Sequence, residues 1–360
     1  VNKINLGILF GGKSAEHEIS LRSARSLIQA IDRNRYNVLL IGVSREGKWY
    51  LSKDISSPEN HLSSGQEQQE LWMKKEAEGS SLLPESSLSG PIKPDVVFPI
   101  MHGSYGEDGT IQGFLKALDI PFVGVDLMAS AIGMDKDMAK RIWRDAGIPI
   151  ARYRCLSRRD VSHLQEGSLV EELGLPLFVK PANAGSSVGV HKVTGISELR
   201  TAVEDALRYD HKVLVEEAVP GREVECAVLG NEDPRASILG EIIPQADFYS
   251  YEAKYLDENG AILKIPADVS PEVEKAIQEA AILAFKSIGG EGLSRVDFFL
   301  KPDGTFVINE INTMPGFTEI SMYPKLWEHS GIPYPELIDQ LVQLALSRHQ
   351  RDKNLKTSFD

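Results

Sequence analysis

Apolar residues recur along this chain with two periods, and the alternation between them sketches the fold. Ile4 to Phe10 is a short continuous apolar run, the pattern of a buried strand. Gly11-Gly12-Lys13-Ser14 breaks it, and Glu16 to Ala30 carries apolar positions at helical spacing. Strands follow at Val38 to Val43, Trp49 to Leu51 and Asp95 to Met101, then a helix to Leu118 and a short strand at Pro121 to Val123. This alternation of strand and helix predicts a mainly parallel sheet. Residues 52 to 93, rich in Ser, Glu, Gln and Pro, read as a surface excursion. Further on, Met134 to Ala146, Glu198 to Leu207 and Pro271 to Ile288 are helical. Leu177 to Pro181, a strand from Val190, Val213 to Glu217, Val224 to Leu229 and Ala236 to Ile243 are strands, and helices close the chain. Asp247 to Gly260 is a polar loop with four aromatic residues.

The most informative stretch is a predicted hairpin. Ser294 to Leu300 and Thr305 to Asn312 flank Asp303-Gly304, a strong turn signal. With that dipeptide at the centre, Asp297 falls opposite Glu310 and Arg295 opposite Asn312, all on one face. Directly opposed carboxylates destabilise a sheet. At ~4 Å the repulsion is roughly 1 kcal/mol in water and about 4 kcal/mol at an effective dielectric of 20. Two carboxylates and an amide oxygen suit Mg²⁺, which favours oxygen ligands and usually arrives with phosphates. The alternative is a solvated face on which Arg295 neutralises Asp297.

Composition bounds the rest. A chain of 360 residues holds two or three domains, and 42% hydrophobic with 25% charged residues is ordinary for a soluble globular protein. A net charge of −13 argues against a general nucleic-acid binder. No apolar run approaches a membrane span, and the start has no signal-peptide layout, so no membrane partner is expected. Two cysteines, Cys155 and Cys226, lack metal-ligand spacing and suit free thiols in the cytoplasm.

Gly7 to Ser14 matches the P-loop pattern letter for letter. Three of its four variable residues are Ile, Leu and Phe, which continue a strand core rather than wrap phosphate. A strand-to-helix turn at the sheet's carboxyl edge is the better reading. It places Glu16 at that edge, either as a ligand for an ammonium group or as a first-turn acid favoured by the helix dipole. Lys180 ends an apolar strand ahead of Gly185, Ser186, Ser187 and Gly189, whose amides and hydroxyls can cradle phosphate or simply form a hairpin. Glu216-Glu217 at a strand end can accept hydrogen bonds from an adenine amino group and ribose, or lie exposed.

Taken in order, these segments resemble the ATP-grasp superfamily and, within it, the D-alanine–D-alanine ligase family. The matching stretches are residues 11–20, His102-Gly103 with Gly106 to Gly109, Met134 to Lys136, Val179 to Pro181 with Gly185 to Gly189, Tyr251 to Tyr255, Arg295 to Asp297 and Asn309 to Gly316. The resemblance implies an ATP-grasp fold, α/β and α+β, with an N-terminal Rossmann-like domain over residues 1–124. A central subdomain would span 125–214, and a C-terminal one 215–360 with a lid at 247–260.

It also implies a reaction. ATP phosphorylates one D-alanine, and the amine of a second attacks the acyl phosphate to form the dipeptide used in peptidoglycan synthesis. Asp297, Glu310 and Asn312 would hold two Mg²⁺ ions, with Mn²⁺ as a substitute. Lys136, Phe178, Lys180, Ser187, Glu216, Glu217, Val219, Glu223, Phe248, Lys254 and Asn309 would bind ATP, Glu217 through its backbone only. Arg295 and the amide of Gly316 would hold the oxyanion, leaving Arg295 for catalysis rather than for a stabilising salt bridge. Glu16 and His102 would bind the first D-alanine, and Ser321 with Met322 the second. Tyr255 would bond with Ser186 and Glu16 to latch the lid. A tyrosine there implies an amine nucleophile; relatives using D-lactate lack it, and a D-lactate or D-serine ligase of the same fold is the alternative. A homodimer is the assembly the family implies. A P-loop nucleotide-switch protein and a nucleotide-binding regulator without catalysis are the rivals from other classes.

The rival readings separate at two lysines. Lys180→Ala should abolish ATP binding in a calorimetric titration, and Lys13→Ala should leave it intact; the opposite result would restore the P-loop.

Overall fold

The computed structural model describes residues 3–52, 55, 69–76, 80–84, 91–244 and 261–356. Three sheets organise them. In the first, β1 (Ile4–Gly11) lies between β2 (Tyr36–Val43) and β6 (Val96–Pro99), parallel to both. The prediction of a mainly parallel sheet needs correcting beyond β2. There β3 (Trp49–Ser52), β4 (Gln69–Lys75) and β5 (Ser80–Pro84) add on antiparallel, giving the order β5-β4-β3-β2-β1-β6.

Residues 52 to 93 are therefore not merely a surface excursion. Leu71 and Leu82 are buried against Leu9, Ile41 and Val97 on one face of this sheet. Only a few apolar residues per strand, set in polar surroundings, carry that signal, which is why periodicity missed it.

The apparent P-loop is a strand running into a turn. Residues 7–11 belong to β1, and the turn is tied down by its own polar groups. Ser20 Oγ bonds Ile100 O at 2.5 Å, Ser14 Oγ bonds His102 O at 2.6 Å, and His17 Nδ1 lies 2.7 Å from Gly12 O. Helix α1 (His17–Ala30) follows, with Glu16 at its N-cap position. Lys13 lies over the ring of Tyr105.

After α2 (Thr110–Ala117), the chain forms two helices, of which the hydrophobic pattern predicted only the second, from Met134. These are α3 (Leu127–Met134) and α4 (Lys136–Asp145), separated by Asp135. Asp135 has extended backbone and caps α4 by accepting from Asp137 N and Met138 N. A capping side chain is the usual mark of a helix start, and here it aims the first residue of α4, Lys136, at the site described below.

The second sheet has order β7-β10-β8-β9, from β7 (Tyr153–Ser157), β8 (Leu177–Pro181), β9 (His191–Val193) and β10 (Lys212–Glu217). It packs on α5 (Glu166–Leu173) and α6 (Ile196–Ala206) around Leu177, Val179, Leu199 and Val203. The third sheet is antiparallel throughout: β13-β12-β11-β14-β15, from β11 (Arg222–Gly230), β12 (Arg235–Pro244), β13 (Ala261–Lys264), β14 (Gly292–Leu300) and β15 (Phe306–Asn312). One face packs on α7 (Pro271–Ser287) through Ile277, Ala281 and Phe285. Helices α8 (Met322–His329) and α9 (Tyr334–Lys353) close the chain and share a core with the first sheet.

Both cysteines are free; burial pushes the thiol of Cys155 up to about 11 and that of Cys226 up to about 12. Among the described residues no helix is long and apolar enough to cross a membrane.

One buried cation ties the end of the chain to the first sheet. Arg348 on α9 donates to Gly124 O at 2.5 Å and Phe122 O at 2.8 Å and stacks 4.7 Å from the Phe122 ring. Removing such a donor leaves two carbonyls without it, at about 1–3 kcal/mol each. Arg348→Met should therefore lower the free energy of unfolding by about 2–4 kcal/mol in a urea titration, and a loss below ~1 kcal/mol would show that the tie contributes little.

Candidate active site

The polar face of the third sheet carries the site. β14 and β15 pair with Asp297 opposite Glu310 and Arg295 opposite Asn312, as alternation predicted. The route to that register differs. The turn places Leu300 opposite Phe306, one residue out of the predicted step, and a β-bulge at Asn309 restores it. Ile308 and Ile311 are buried in the core, so the two residues between them both leave the core side. Asn309 thus joins Glu310 on the cavity face, where its Oδ1 accepts from Lys180 Nζ at 3.3 Å.

On the other side of β14, Glu225 of β11 lies opposite Asp297. Glu225, Asp297 and Glu310 therefore form one row of carboxylates across three adjacent strands. Arg295 resolves much of their repulsion. It grips Asp297 with two bonds, Nε to Oδ1 at 2.8 Å and Nη2 to Oδ2 at 2.7 Å, and its Nε lies 3.0 Å from Glu225 Oε2. The expectation that Arg295 is kept from a stabilising salt bridge is corrected here. Residues two apart on a strand share a face, and the guanidinium fork matches a carboxylate. Burial opposes the charge on Arg295, but Asp297, Glu225 and Glu310 more than offset it and hold the guanidinium charged. Asn312 Nδ2 donates to Asp297 Oδ2 at 2.9 Å.

The donor set fits a divalent cation. Glu223, Glu225 and Asp297 each place a carboxylate oxygen within 4.8 Å of the others. Adding Glu310, this cluster has four carboxylates against the charges of Arg295 and Lys136, whose Nζ is 3.4 Å from Glu310 Oε2. The remaining negative charge and the hard oxygen donors are what Mg²⁺ requires. This acid group thus includes Glu225, which strand periodicity marked only as part of a strand.

Two cavities open on this face. The larger, of about 880 Å³, lies between the second and third sheets and is lined by Phe178, Lys180, Ser187, Glu216, Val219 and Glu223, with Glu217 and Asn309 also on its wall. The Gly/Ser loop borders it with Ser186 and Ser187 in left-handed backbone, at φ 52° and 58°, a conformation that costs non-glycine residues roughly 1–2 kcal/mol each. Glu216 does not present a free carboxylate to this cavity: it is buried between Lys140 Nζ at 2.7 Å and Lys180 Nζ at 2.5 Å. Burial would raise its pKa, and the two ammonium groups hold it below the ordinary range instead. Glu217 turns its side chain to Arg152, at 2.8 Å from its backbone N and 2.6 Å from Nε.

The smaller cavity, of about 320 Å³, is lined by Glu16, His102, Arg295, Asn312, Gly316, Ser321 and Met322. Ser186 Oγ donates to Glu16 Oε1. Gly103, at φ 71°, lets Glu16 approach the backbone; a Cβ there would overlap Glu16 Oε2. His102 is buried, with Nδ1 3.4 Å from Glu107 and Nε2 3.1 Å from Ser23 Oγ. Burial disfavours its imidazolium, yet Glu107 and Glu16 raise its pKa overall. Ser321 Oγ lies 2.8 Å from Thr318 Oγ1 at the start of α8, while the Met322 side chain is buried.

The cavities share Lys136, Gly185, Ser186 and Glu310 on their walls. Lys136 Nζ also bonds Ala184 O at 2.8 Å. Of the remaining candidates, Phe248, Lys254 and Tyr255, with the rest of the expected lid, lie outside the described residues. The ends of that segment meet, since Pro244 pairs with Ala261.

Two sheets holding a nucleotide-sized cavity between a lysine-bearing strand and an acidic face, with an N-terminal α/β sheet closing a second cavity, define an ATP-grasp ligase. Residues 5–125 match the family described as D-ala D-ala ligase N-terminus, and residues 142–343 the one described as D-ala D-ala ligase C-terminus. The chain belongs to the D-alanine–D-alanine ligase family. It is 51% identical to a D-alanine–D-alanine ligase of Oceanobacillus iheyensis, over 99% of both chains. It is 47% identical to D-alanine–D-alanine ligase A of Escherichia coli K12 over the full length of each. Among solved structures, the D-alanine–D-alanine ligase of Coxiella burnetii aligns with a TM-score of 0.89 and 39% identity, over 98% of this chain and 97% of that one. The VanG D-Ala:D-Ser ligase of Enterococcus faecalis aligns at 0.85 and 36%, over 96% and 100%.

The carboxylate row yields a test. Glu310→Gln removes a charge facing Asp297 and, at the same time, the partner of Lys136, two small and opposed effects. Without divalent cation, unfolding stability should hold to within about 0.5 kcal/mol or rise slightly. Turnover should fall by orders of magnitude, and near-normal turnover would remove Glu310 from the metal set.

Proposed function

We propose that this chain uses ATP to join two D-alanine molecules into D-alanyl-D-alanine through an acyl phosphate, for peptidoglycan synthesis. The observation that carries the reading is the shared wall: Lys136, Ser186 and Glu310 border both the nucleotide-sized cavity and the smaller one. A phosphoryl group passing between two ligands needs such a junction.

In the larger cavity, the backbone at Glu217 and Val219 faces the adenine, Glu223 the ribose, and Lys136, Lys180 and Ser187 the phosphates. Phosphoryl transfer asks mainly for positioning and positive charge, which the two lysines supply. In the smaller cavity, Glu16 binds the ammonium of the first D-alanine and is oriented by the hydroxyl of Ser186, with His102 beside it. The first carboxylate attacks the γ-phosphorus and ADP leaves. The amine of the second D-alanine then attacks the acyl carbon, and phosphate departs. Arg295 and the N–H of Gly316 stabilise the oxyanion. A guanidinium carries five donors, and the pairs with Asp297 and Glu225 engage Arg295 through Nε and Nη2. Ser321 and the N-terminus of α8 receive the second carboxylate. Asp297, Glu310 and Asn312 would hold Mg²⁺, two ions in our reading and replaceable by Mn²⁺, to neutralise charge on the ATP phosphates.

We assign residues 1–124, 125–214 and 215–360 to the N-terminal, central and C-terminal parts, and residues 247–260 with Tyr255 to the lid. We place the reaction in the cytoplasm, where ATP is available, and propose a homodimer. Exposed Phe114, Leu127 and Met128 on the neighbouring helices α2 and α3 support a protein-covered face.

Phosphate release measured with D-alanine alone, with detection of the dipeptide, tests the reaction. Release should occur with D-alanine as the sole amino acid and should not need added D-lactate or D-serine. A requirement for either would reassign the nucleophile.

A further inference from the structure

Lys140 has no place in the reaction as described, and it is the largest charged side chain fully buried in the described residues. It sits on the inward face of α4 beside buried Ala139 and Trp143, one turn beyond Lys136. Two lysines four apart on one helix face repel, and burying an ammonium is costly unless it is paired. The position is therefore expensive, and its surroundings show what holds it. Its Nζ lies 2.7 Å from Glu216 Oε1 and 5.8 Å from the centre of the Tyr153 ring. The other oxygen of Glu216 lies 2.5 Å from Lys180 Nζ. One carboxylate is thus shared by two ammonium groups, of which only Lys180 borders the nucleotide cavity.

The charges explain the arrangement. A Lys180–Glu216 pair alone is neutral, and at a phosphate nearby the carboxylate would cancel much of the field of the ammonium. Lys140 supplies the missing charge from behind, so the trio carries one net positive charge. Burial and the charges of Lys180 and Lys136 push the Lys140 pKa down, while Glu216 opposes them.

We infer that Lys140 is a positioning residue that acts through Glu216, neutralising that carboxylate so that Lys180 keeps its full charge for the nucleotide phosphates. The inference deepens the nucleotide reading of the larger cavity and rests on it.

A merely structural lysine would affect all nucleotides alike. The readout is therefore the affinity for ATP, and for ADP, relative to adenosine, measured by calorimetry on the full chain with magnesium and without D-alanine. In that ratio, changes at the base contacts cancel. Lys140→Met should lower the ATP-to-adenosine affinity ratio roughly tenfold, the scale of one charge acting over several ångströms at an intermediate dielectric. Glu216→Gln should raise the ratio. The double variant Lys140→Met/Glu216→Gln, with both charges gone, should return it to within about threefold of the unmodified chain. A uniform loss for all three ligands, or a double variant as weak as Lys140→Met, would overturn the role of Lys140. Should Lys140→Met alone fail to fold, the other two decide: Glu216→Gln must raise the ratio and the added Lys140→Met must reverse it, and an unchanged ratio overturns the inference. If the unmodified chain binds none of the three ligands, the nucleotide reading falls and this inference with it. If it binds them and the ratio stays fixed across the variants, the role of Lys140 alone falls.

Discussion

Mutual repulsion among carboxylates on adjacent strands is the constraint around which this structure is arranged. Glu225, Asp297 and Glu310 stand in one row across β11, β14 and β15. Such a row is unfavourable in a sheet without compensating charge. The fold answers with cations brought from different parts of the chain: Arg295 from the same strand as Asp297, and Lys136 from the start of α4. The sheets, the capped break before α4 and the Gly/Ser loop all bear on how those cations reach the acids.

The same economy governs the nucleotide end. Glu216 is shared between Lys140 and Lys180, as Asp297 is shared between Arg295 and Asn312. Each carboxylate fixes the direction of groups that face a cavity. Breaking one partner of a buried pair is more damaging than the pair's net contribution suggests, because the other charge is left without water or counter-ion. The charges that face the cavities are accordingly each paired where phosphate chemistry needs them oriented.

Much of this was legible in local pattern. Alternation placed Asp297 opposite Glu310, and the order of Lys136, Lys180, Glu216 and the acidic hairpin identified the family. The register, however, emerged from two departures that offset each other: a longer turn than Asp303-Gly304 suggested, and the bulge at Asn309. Neither leaves a mark in hydrophobic periodicity. Lys140, Glu225 and Glu107 were not legible as functional, because their significance lies in partners 76, 70 and 5 residues away that only the folded chain brings to them. The strands β4 and β5 were missed because short strands with few apolar residues resemble polar loop. Helix α3 was not predicted because Leu127 to Met134 is mostly small and apolar with no polar stripe to mark a helical face, and the helix expected from Met134 begins at Lys136 because the capping geometry of Asp135 sets its start.

The bulge at Asn309 has a consequence for how such a site can change over generations. Ile308 and Ile311 hold their places in the core on either side of it, so the extra residue alters the polar face alone. Losing that one residue would restore a regular ladder with Glu310 still facing Asp297, and gaining it adds a side chain beside Lys180. The strand can therefore acquire or discard a contact at the phosphate end as an insertion or deletion, while the acidic row next to it keeps its register.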